Sequence, residues 1–290
     1  MHISAIQLSY TDDDTPDTKI QRATHLVKTQ THADLIVLPE LWYDMGFAYK
    51  KWGATASPID DNPAVQALGE AARSVGSYVH AGSFIEATPE AMERIRNYGG
   101  DMTQIPDVPD SERGLWNTSV VFNPRGEIIA TYRKIHRFGF GNGEPKLLAA
   151  GETVATCPIE VDGQTLTLGL ATCYDLRFPE LFRVLVDAGA ELFLVPAAWP
   201  AARVKHWQLL AQARALEDFA AVVACNTSGF HGGVQMGGKS LIVDAAGEII
   251  AQAGTEETIL TTSLSIEDIH THRKKFPALN DRRIVPTEVR

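Results

Sequence analysis

SVVFNPRGEIIATY at residues 119–132 and SLIVDAAGEIIAQA at residues 240–253 are one device written twice: a β-rich run, a turn closing on Gly, and the sequence GEIIA. Each reads as a hairpin. The first turns on Asn123, Pro124, Arg125 and Gly126, residues that start a turn or accept the left-handed backbone that closes it. Around the hairpins, strand and helix patterns alternate. HISAIQLSY (2–10), the helical stretch 15–32 and DLIVLPE (34–40) form a βαβ opening, followed by a helix over 63–76 and the strand SYVHAGSFIE (77–86). A second series runs TLTLGLATC (165–173), PELFRVLVDAGA (179–190), ELFLVPAAW (191–199), a long helix from about Ala202 to Phe219, and AAVVACN (220–226). Alternation alone predicts one doubly wound parallel sheet, which has no place for a hairpin inside each series. Two face-to-face sheets with helices outside accommodate both, and the doubled hairpin predicts internal pseudo-symmetry rather than a repeat array.

No Pro-, Ser- or Gly-rich linker divides the chain. Residues 87–114, rich in Pro, Gly and Asp, read as a surface excursion near the rim of a site. GFHGGVQMGG (229–238) lacks the GxxxxGK[ST] pattern and reads as a flexible loop, not a phosphate cradle.

Composition narrows the function classes. The 290 residues are 44% hydrophobic and 21% charged, the balance of a globular chain long enough to bury one large α/β core. A formal charge of −10 with no long Lys/Arg run argues against nucleic acid or an anionic membrane as partner. No apolar stretch approaches the roughly 20 residues of a membrane span, and the N-terminus opens without a signal peptide's regions, which predicts a cytoplasmic protein. Cys157, Cys173 and Cys225 form no CxxC pair, against both a disulfide framework and a zinc knuckle. Cys157 and Cys225, inside strand patterns, read as buried core thiols. His136 and His206 belong to no HExxH or dense ligand cluster and read as structural; neither metal nor organic cofactor is expected.

Three reactive side chains stand at strand ends, where α/β folds place their sites: Glu40 after DLIVLP, Lys134 after EIIATYR, and Cys173 before a helix signalled by Pro179 and Glu180. A thiol on a sharp strand-to-helix turn is expected to be exposed, with nearby amides and a lysine favouring its thiolate. Attack on an amide carbonyl needs a base for the thiol proton, a cation or N–H for the oxyanion, and an acid for the departing amine. Glu40, Lys134 and the backbone N–H of Tyr174 can fill those roles. Trp42, Tyr43, Phe47, Phe138 and Trp199 follow these strands closely and are candidate pocket walls.

LIVLPE (35–40), YRKIH (132–136) and ATCYDLRFPE (171–180), in this order, resemble the three signatures of the nitrilase, or carbon–nitrogen hydrolase, superfamily; AAWPAARVKHWQLLAQARALEDFAAVVACN (197–226) extends the resemblance. It implies an α/β fold of four layers, an αββα sandwich, as a single domain over 1–290. It further implies a homodimer paired through the inner helices, with the segment from about residue 265 to 290 contributing dimer contacts. It implies Glu40 as base, Lys134 as oxyanion stabiliser and Cys173 as nucleophile, with Glu144 in GFGNGEP (139–145) as a second, substrate-positioning glutamate. Tyr174 and Asp175 stand where true nitrilases usually have Trp-Glu, and CYDLRFPE resembles omega-amidases acting on dicarboxylic acid monoamides. Arg177 falls where N-carbamoyl amino acid hydrolases hold a carboxylate; a guanidinium grips one with two parallel hydrogen bonds. The expected substrate is therefore a small acidic amide such as 2-oxoglutaramate or succinamate, hydrolysed with release of ammonia. The alternatives are a carbamoyl amino acid or another aliphatic amide. Leu176 before Arg177, in place of a doubled arginine, favours the amidase.

Overall fold

The computed structural model describes residues 1–284 and contains two six-stranded sheets of the same design. One runs Thr258–Ser263, His2–Gln7, Leu35–Val37, Tyr78–Ala87, Leu115–Phe122 and Ile128–Arg133 across its width. The other runs Ala155–Val161, Gln164–Leu170, Leu192–Ala197, Ala221–Asn226, Leu241–Val243 and Ile249–Gln252. In each, three central strands are parallel, one outer strand is antiparallel, and the GEIIA hairpin forms the opposite edge. The repeated hairpin is thus the visible part of a pseudo-symmetry that runs through both sheets.

Alternate residues along a strand point to opposite faces, and the layers follow from that. Ile3, Ala5, Leu35 and Val37 of the first sheet meet Leu168, Leu170, Leu192 and Val223 of the second in one apolar layer. Ile6, Ile36, Leu38 and Val79 point the other way, onto Ala23, Val27, Leu68 and Ala72 of the helices Pro16–Lys28 and Pro63–Val75. On the far side, Phe193, Val195, Val222 and Ala224 pack on the helices Pro179–Asp187 and Val204–Asp218 through Leu181, Leu185, Trp207 and Ala211. Each Val, Leu, Ile or Phe among them stabilises the fold by roughly 1.5–3 kcal/mol when fully buried. The expected four-layer αββα sandwich is what these three apolar interfaces hold together. The helices begin where the sequence signals them: Thr15 accepts from Thr18 N–H at 3.2 Å, and Asn62 from Ala64 N–H at 3.0 Å, each just before a proline. Among the described residues no helix is long and apolar enough to cross a membrane.

Two segments depart from the sequence reading. Residues 87–114 are not irregular throughout: Pro89–Asn97 is a helix whose first turn is capped by Thr88 at 3.2 Å from Ala91 N–H, and Asp110–Arg113 adds a short turn. The segment does reach the rim of the site, because Arg113 donates to the carbonyls of Pro145 at 2.8 Å and Leu148 at 3.4 Å, next to Glu144. Residues 229–238 are not a plain loop. Ser228–His231 pairs parallel with Ser9–Tyr10 and antiparallel with Val234–Gln235. Glycine supplies no side chain for a period-2 pattern, so these short strands left no trace in the sequence. Of the segment from about residue 265, Ile266–Lys275 is a helix whose Arg273 donates to the carbonyls of Phe219 and Ala190, both at 2.7 Å. Residues 285–290 of that segment lie outside the described residues.

Candidate active site

Glu40, Lys134, Glu144 and Cys173 come together at the bottom of one cleft, whose walls include Phe47, Tyr49, Phe138 and Trp199. Glu40 leaves the strand Leu35–Val37 along the neighbouring strand, with Leu38 N–H bonded to His80 O at 2.9 Å and Leu41 N–H to Ser83 O at 3.0 Å. The approach is close enough that a Cβ on Gly82 would lie 2.0 Å from the Pro39 carbonyl oxygen, so only glycine fits there. Lys134 ends the strand Ile128–Arg133 and is pinned on both sides: its N–H bonds Asn117 O at 2.8 Å, and its carbonyl accepts from Gly151 at 2.9 Å. Cys173 follows the strand Gln164–Leu170 in left-handed backbone, φ +48°, and opens the 3-10 turn Cys173–Arg177. That conformation costs a residue with a Cβ about 1–3 kcal/mol, which surrounding bonds must hold in place.

Asp175 supplies those bonds. It accepts from Thr172 N–H and Tyr132 O–H, each at 2.8 Å, and from His136 N–H at 2.9 Å, with His136 Nδ1 at 2.7 Å. Tyr132 and His136 bracket Lys134, so one buried carboxylate ties the turn of the thiol to the strand end of the lysine.

The floor is a closed set of charges. Lys134 Nζ donates to Glu40 Oε1 at 2.8 Å and to Glu144 Oε2 at 2.9 Å. Asn117 Nδ2 bridges the same two carboxylates, 2.9 Å from Glu40 Oε1 and 3.0 Å from Glu144 Oε1. The backbone completes the set, Ala198 N–H reaching Glu40 Oε2 at 2.8 Å and Phe138 N–H reaching Glu144 Oε2 at 2.5 Å. All four side chains are at most 4% exposed. Burial works against the charge of Lys134, but Glu144 and then Glu40 outweigh it and hold the lysine well above its ordinary value. Burial raises the Glu144 carboxyl, with Lys134 pulling it back.

The same surroundings correct the expectation for Cys173. The turn does not hold the thiol exposed; it is 8% exposed, at the bottom of the cleft. Burial, and next the Glu40 carboxylate, raise the thiol well above its ordinary value, against the pull of Lys134, which favours the thiol over the thiolate. Cys173 and Glu40 line the same cleft, and a thiol that hands its proton to such a carboxylate as it attacks needs no free thiolate.

The mouth is aromatic and cationic. Phe47, Phe138, Tyr174 and Trp199 line it, together with Tyr49 and Arg203, which the sequence does not single out. Phe138 lies edge-on to Tyr174 at 5.3 Å and to Phe47 at 6.0 Å between ring centres. Tyr174 N–H belongs to the first turn of the 3-10 segment, where helix geometry leaves donors free for an oxyanion. Arg177 lies over the Trp199 ring at 4.8 Å and has His206 Nδ1 at 3.2 Å; among the described residues it pairs with neither Glu180 nor any other carboxylate.

Trp42 and Tyr43 are not pocket walls. Trp42 Nε1 donates to Ala81 O at 2.8 Å, and its ring packs on Tyr43 and Phe84 in the layer behind the first sheet. The backbone turns at Leu41, φ +45°, and sends the next two side chains away from the cleft. Cys157 and Cys225 are buried in the layer between the sheets, and His136 stacks on Phe178 at 3.8 Å. Asn117 escapes the sequence reading altogether, and Asp175 enters it only as a branch marker. The available signal for Asn117 is an amide at a buried position of the strand Leu115–Phe122, since a buried polar side chain demands partners.

Residues 2–274 match the family model described as carbon–nitrogen hydrolase. A Paenarthrobacter nicotinovorans protein named 2-oxoglutaramate amidase is 41% identical over 283 residues, which cover 98% of this chain and 90% of that one. The Bacillus subtilis protein of the same name is 31% identical over 269 residues, 92% of either chain. Among solved structures, Saccharomyces cerevisiae Nit3, described as a member of branch 10 of the nitrilase superfamily, matches with a TM-score of 0.79 at 27% identity, covering 98% of this chain and 97% of that one. Fold, cleft and likeness agree, and the chain belongs to the carbon–nitrogen hydrolase family.

Proposed function

We propose that the protein is an omega-amidase-like enzyme that hydrolyses the amide of a small carboxylate-bearing molecule such as 2-oxoglutaramate or succinamate, releasing ammonia. The observation that carries this reading is the buried Glu40–Lys134–Glu144 cluster at the cleft floor beside Cys173. The 41% identical relative named 2-oxoglutaramate amidase supports the choice of substrate.

In the acylation half, Cys173 Sγ attacks the carbonyl carbon while Glu40 takes the thiol proton, and Lys134 Nζ with Tyr174 N–H receives the negative charge building on the oxygen. Collapse breaks the C–N bond; Glu40 returns its proton to the leaving nitrogen, ammonia departs, and a thioester remains. In the second half, Glu40 takes a proton from water, the hydroxyl oxygen attacks the thioester, and collapse gives the carboxylic acid and returns the proton to Sγ. Glu144 keeps Lys134 charged and aimed, and Arg177 grips the substrate carboxylate at the mouth. Residues 1–290 act as one cytoplasmic domain in this reading. A homodimer is its assembly, supported by Leu209 and Leu216, 67% and 58% exposed on the helix Val204–Asp218, and by Phe276 beyond it, 63% exposed.

An ammonia-release screen over monoamides of C4 and C5 diacids, their 2-oxo forms, carbamoyl amino acids and neutral amides tests the proposal. The acidic monoamides are expected to lead. Carbon dioxide appearing with the ammonia would move the enzyme to the carbamoyl acids, and a win for neutral amides would remove the role given to Arg177.

A further inference from the structure

The fold leaves positive charge at the mouth of the cleft without neutralising it. Arg203 lines the cleft with its guanidinium 5.2 Å from the centre of the Phe138 ring, and among the described residues that side chain makes no hydrogen bond or ion pair. Its backbone, by contrast, is fixed: Arg203 N–H bonds Pro200 O at 3.0 Å, and its carbonyl accepts from Trp199 Nε1 at 2.8 Å. The indole that carries Arg177 on its face therefore also anchors the backbone of Arg203.

Local electrostatics oppose this placement. Arg203 stands at the N-terminus of the helix Val204–Asp218, whose first turn contains no acidic residue and includes Lys205 and His206. A cation at the positive end of a helix is disfavoured, so neither helix stability nor an ion pair accounts for it. The protein as a whole carries a formal charge of −10, and the floor beneath holds two carboxylates to one ammonium. The cleft is thus polarised from an acidic floor to a cationic mouth. Such a field turns a ligand so that its anionic end stays outward while its uncharged amide descends to Cys173.

We propose that Arg203 is a specificity-determining residue that, together with Arg177, forms a two-guanidinium seat for the anionic end of the substrate. The inference rests on the omega-amidase reading and adds a second arm to it. Arg177 has part of its fork turned to His206, whereas Arg203 keeps all its side-chain donors for a ligand. Its face is held on Phe138, so less freedom is lost when a carboxylate binds.

The test is ammonia release by the full-length enzyme and by Arg203→Met, which keeps an apolar stem over Phe138 and removes the charge. Succinamate, 2-oxoglutaramate and butanamide are the substrates, and the readout is the ratio of kcat/KM for each acidic amide to that for butanamide. This ratio is expected to fall about 10- to 100-fold in Arg203→Met, mainly through KM, and Arg203→Lys is expected to recover part of the loss. Equal losses on acidic and neutral amides, or an unchanged ratio, overturn the seat while leaving the substrate reading in place. A wild-type enzyme that shows no preference for acidic amides overturns the substrate reading and the seat together.

Discussion

The floor and the mouth of this one cleft are built on opposite rules. At the floor, Glu40, Lys134, Glu144 and Asn117 are buried, and both carboxylates and the ammonium are bonded into one network. A buried charge without its partner is worth several kcal/mol of instability, so the network leaves little freedom to substitute. At the mouth, Arg177 and Arg203 lie over aromatic faces and find no carboxylate among the described residues. Water and the rings stabilise them well enough that each can change at small cost to the fold. On the proposed reading, the chemistry is placed where the physics forbids variation, and recognition where it permits variation.

The sharpest break between the two regions is expected at Cys173. Cys173→Ala shortens a side chain at the edge of a cavity, so its thermal midpoint is expected within a few degrees of wild type. Ammonia release from any amide is expected to fall by at least about 10⁴-fold, because in the proposed mechanism every step passes through the sulfur. A variant keeping a tenth of the activity would take Cys173 out of the chemistry.

Lys134→Met comes next. It leaves Glu40 and Glu144 facing each other without a cation, so activity is expected to drop about 10³-fold and stability by about 3–5 kcal/mol. The pH dependence carries the same information. Lys134 is held above its ordinary value of 10.5 when folded, so the stability it confers is fully present below that pH and is lost as pH rises through the higher folded value. Urea unfolding at a series of pH values should show wild type losing its advantage over Lys134→Met only above pH 10.5. An advantage already lost by pH 9 would mean that the floor is open to water.

The two regions also differ in how far the sequence discloses them. Glu40, Lys134 and Cys173 each close a strand-like run, so type and position together mark them, and the signature resemblance orders them into one site. Asn117 and Asp175 act through contacts 77 and 39 residues away, to Glu40 and His136, which no local pattern encodes. Trp42 and Tyr43 mislead because nearness to Glu40 in sequence does not say which side of Leu41 the chain turns to. Arg203, in WPAARVKHW, is indistinguishable from a solvated arginine until the fold lays it over Phe138. At the scale of the fold, the GEIIA hairpins announced the pseudo-symmetry, but its outer strands stayed hidden. Ala155–Val161 contains Pro158, tolerated because the strand is an edge, and Thr258–Ser263 is a half-exposed edge without clean alternation.

A gentler probe of the floor is Asn117→Ala. It withdraws one donor from each of two carboxylates that keep Lys134 and a backbone N–H, so the network is weakened but not opened. An effect of about tenfold on kcat with little change in KM is expected, since one hydrogen bond to a charged group is worth about 1.5–3 kcal/mol and the neighbours absorb part of it. A rise in KM without a fall in kcat would place Asn117 with the mouth.

The smallest effect separates the regions without any mutation. Raising ionic strength from about 0.01 M to 1 M shortens the screening length from about 30 Å to about 3 Å, which weakens the attraction of solvent-facing cations for an anion and leaves a buried network nearly untouched. For an acidic amide, KM is expected to rise a few-fold while kcat holds. For a neutral amide of the same length neither should move, which also controls for salt effects on the fold. If kcat responds to salt for both substrates, screening reaches Lys134 and its carboxylates, and the division of the cleft into a sealed floor and an electrostatic mouth fails. If neither KM responds, the arginines contribute shape and stacking rather than charge, and the polarity assigned to the cleft has no part in choosing its substrate.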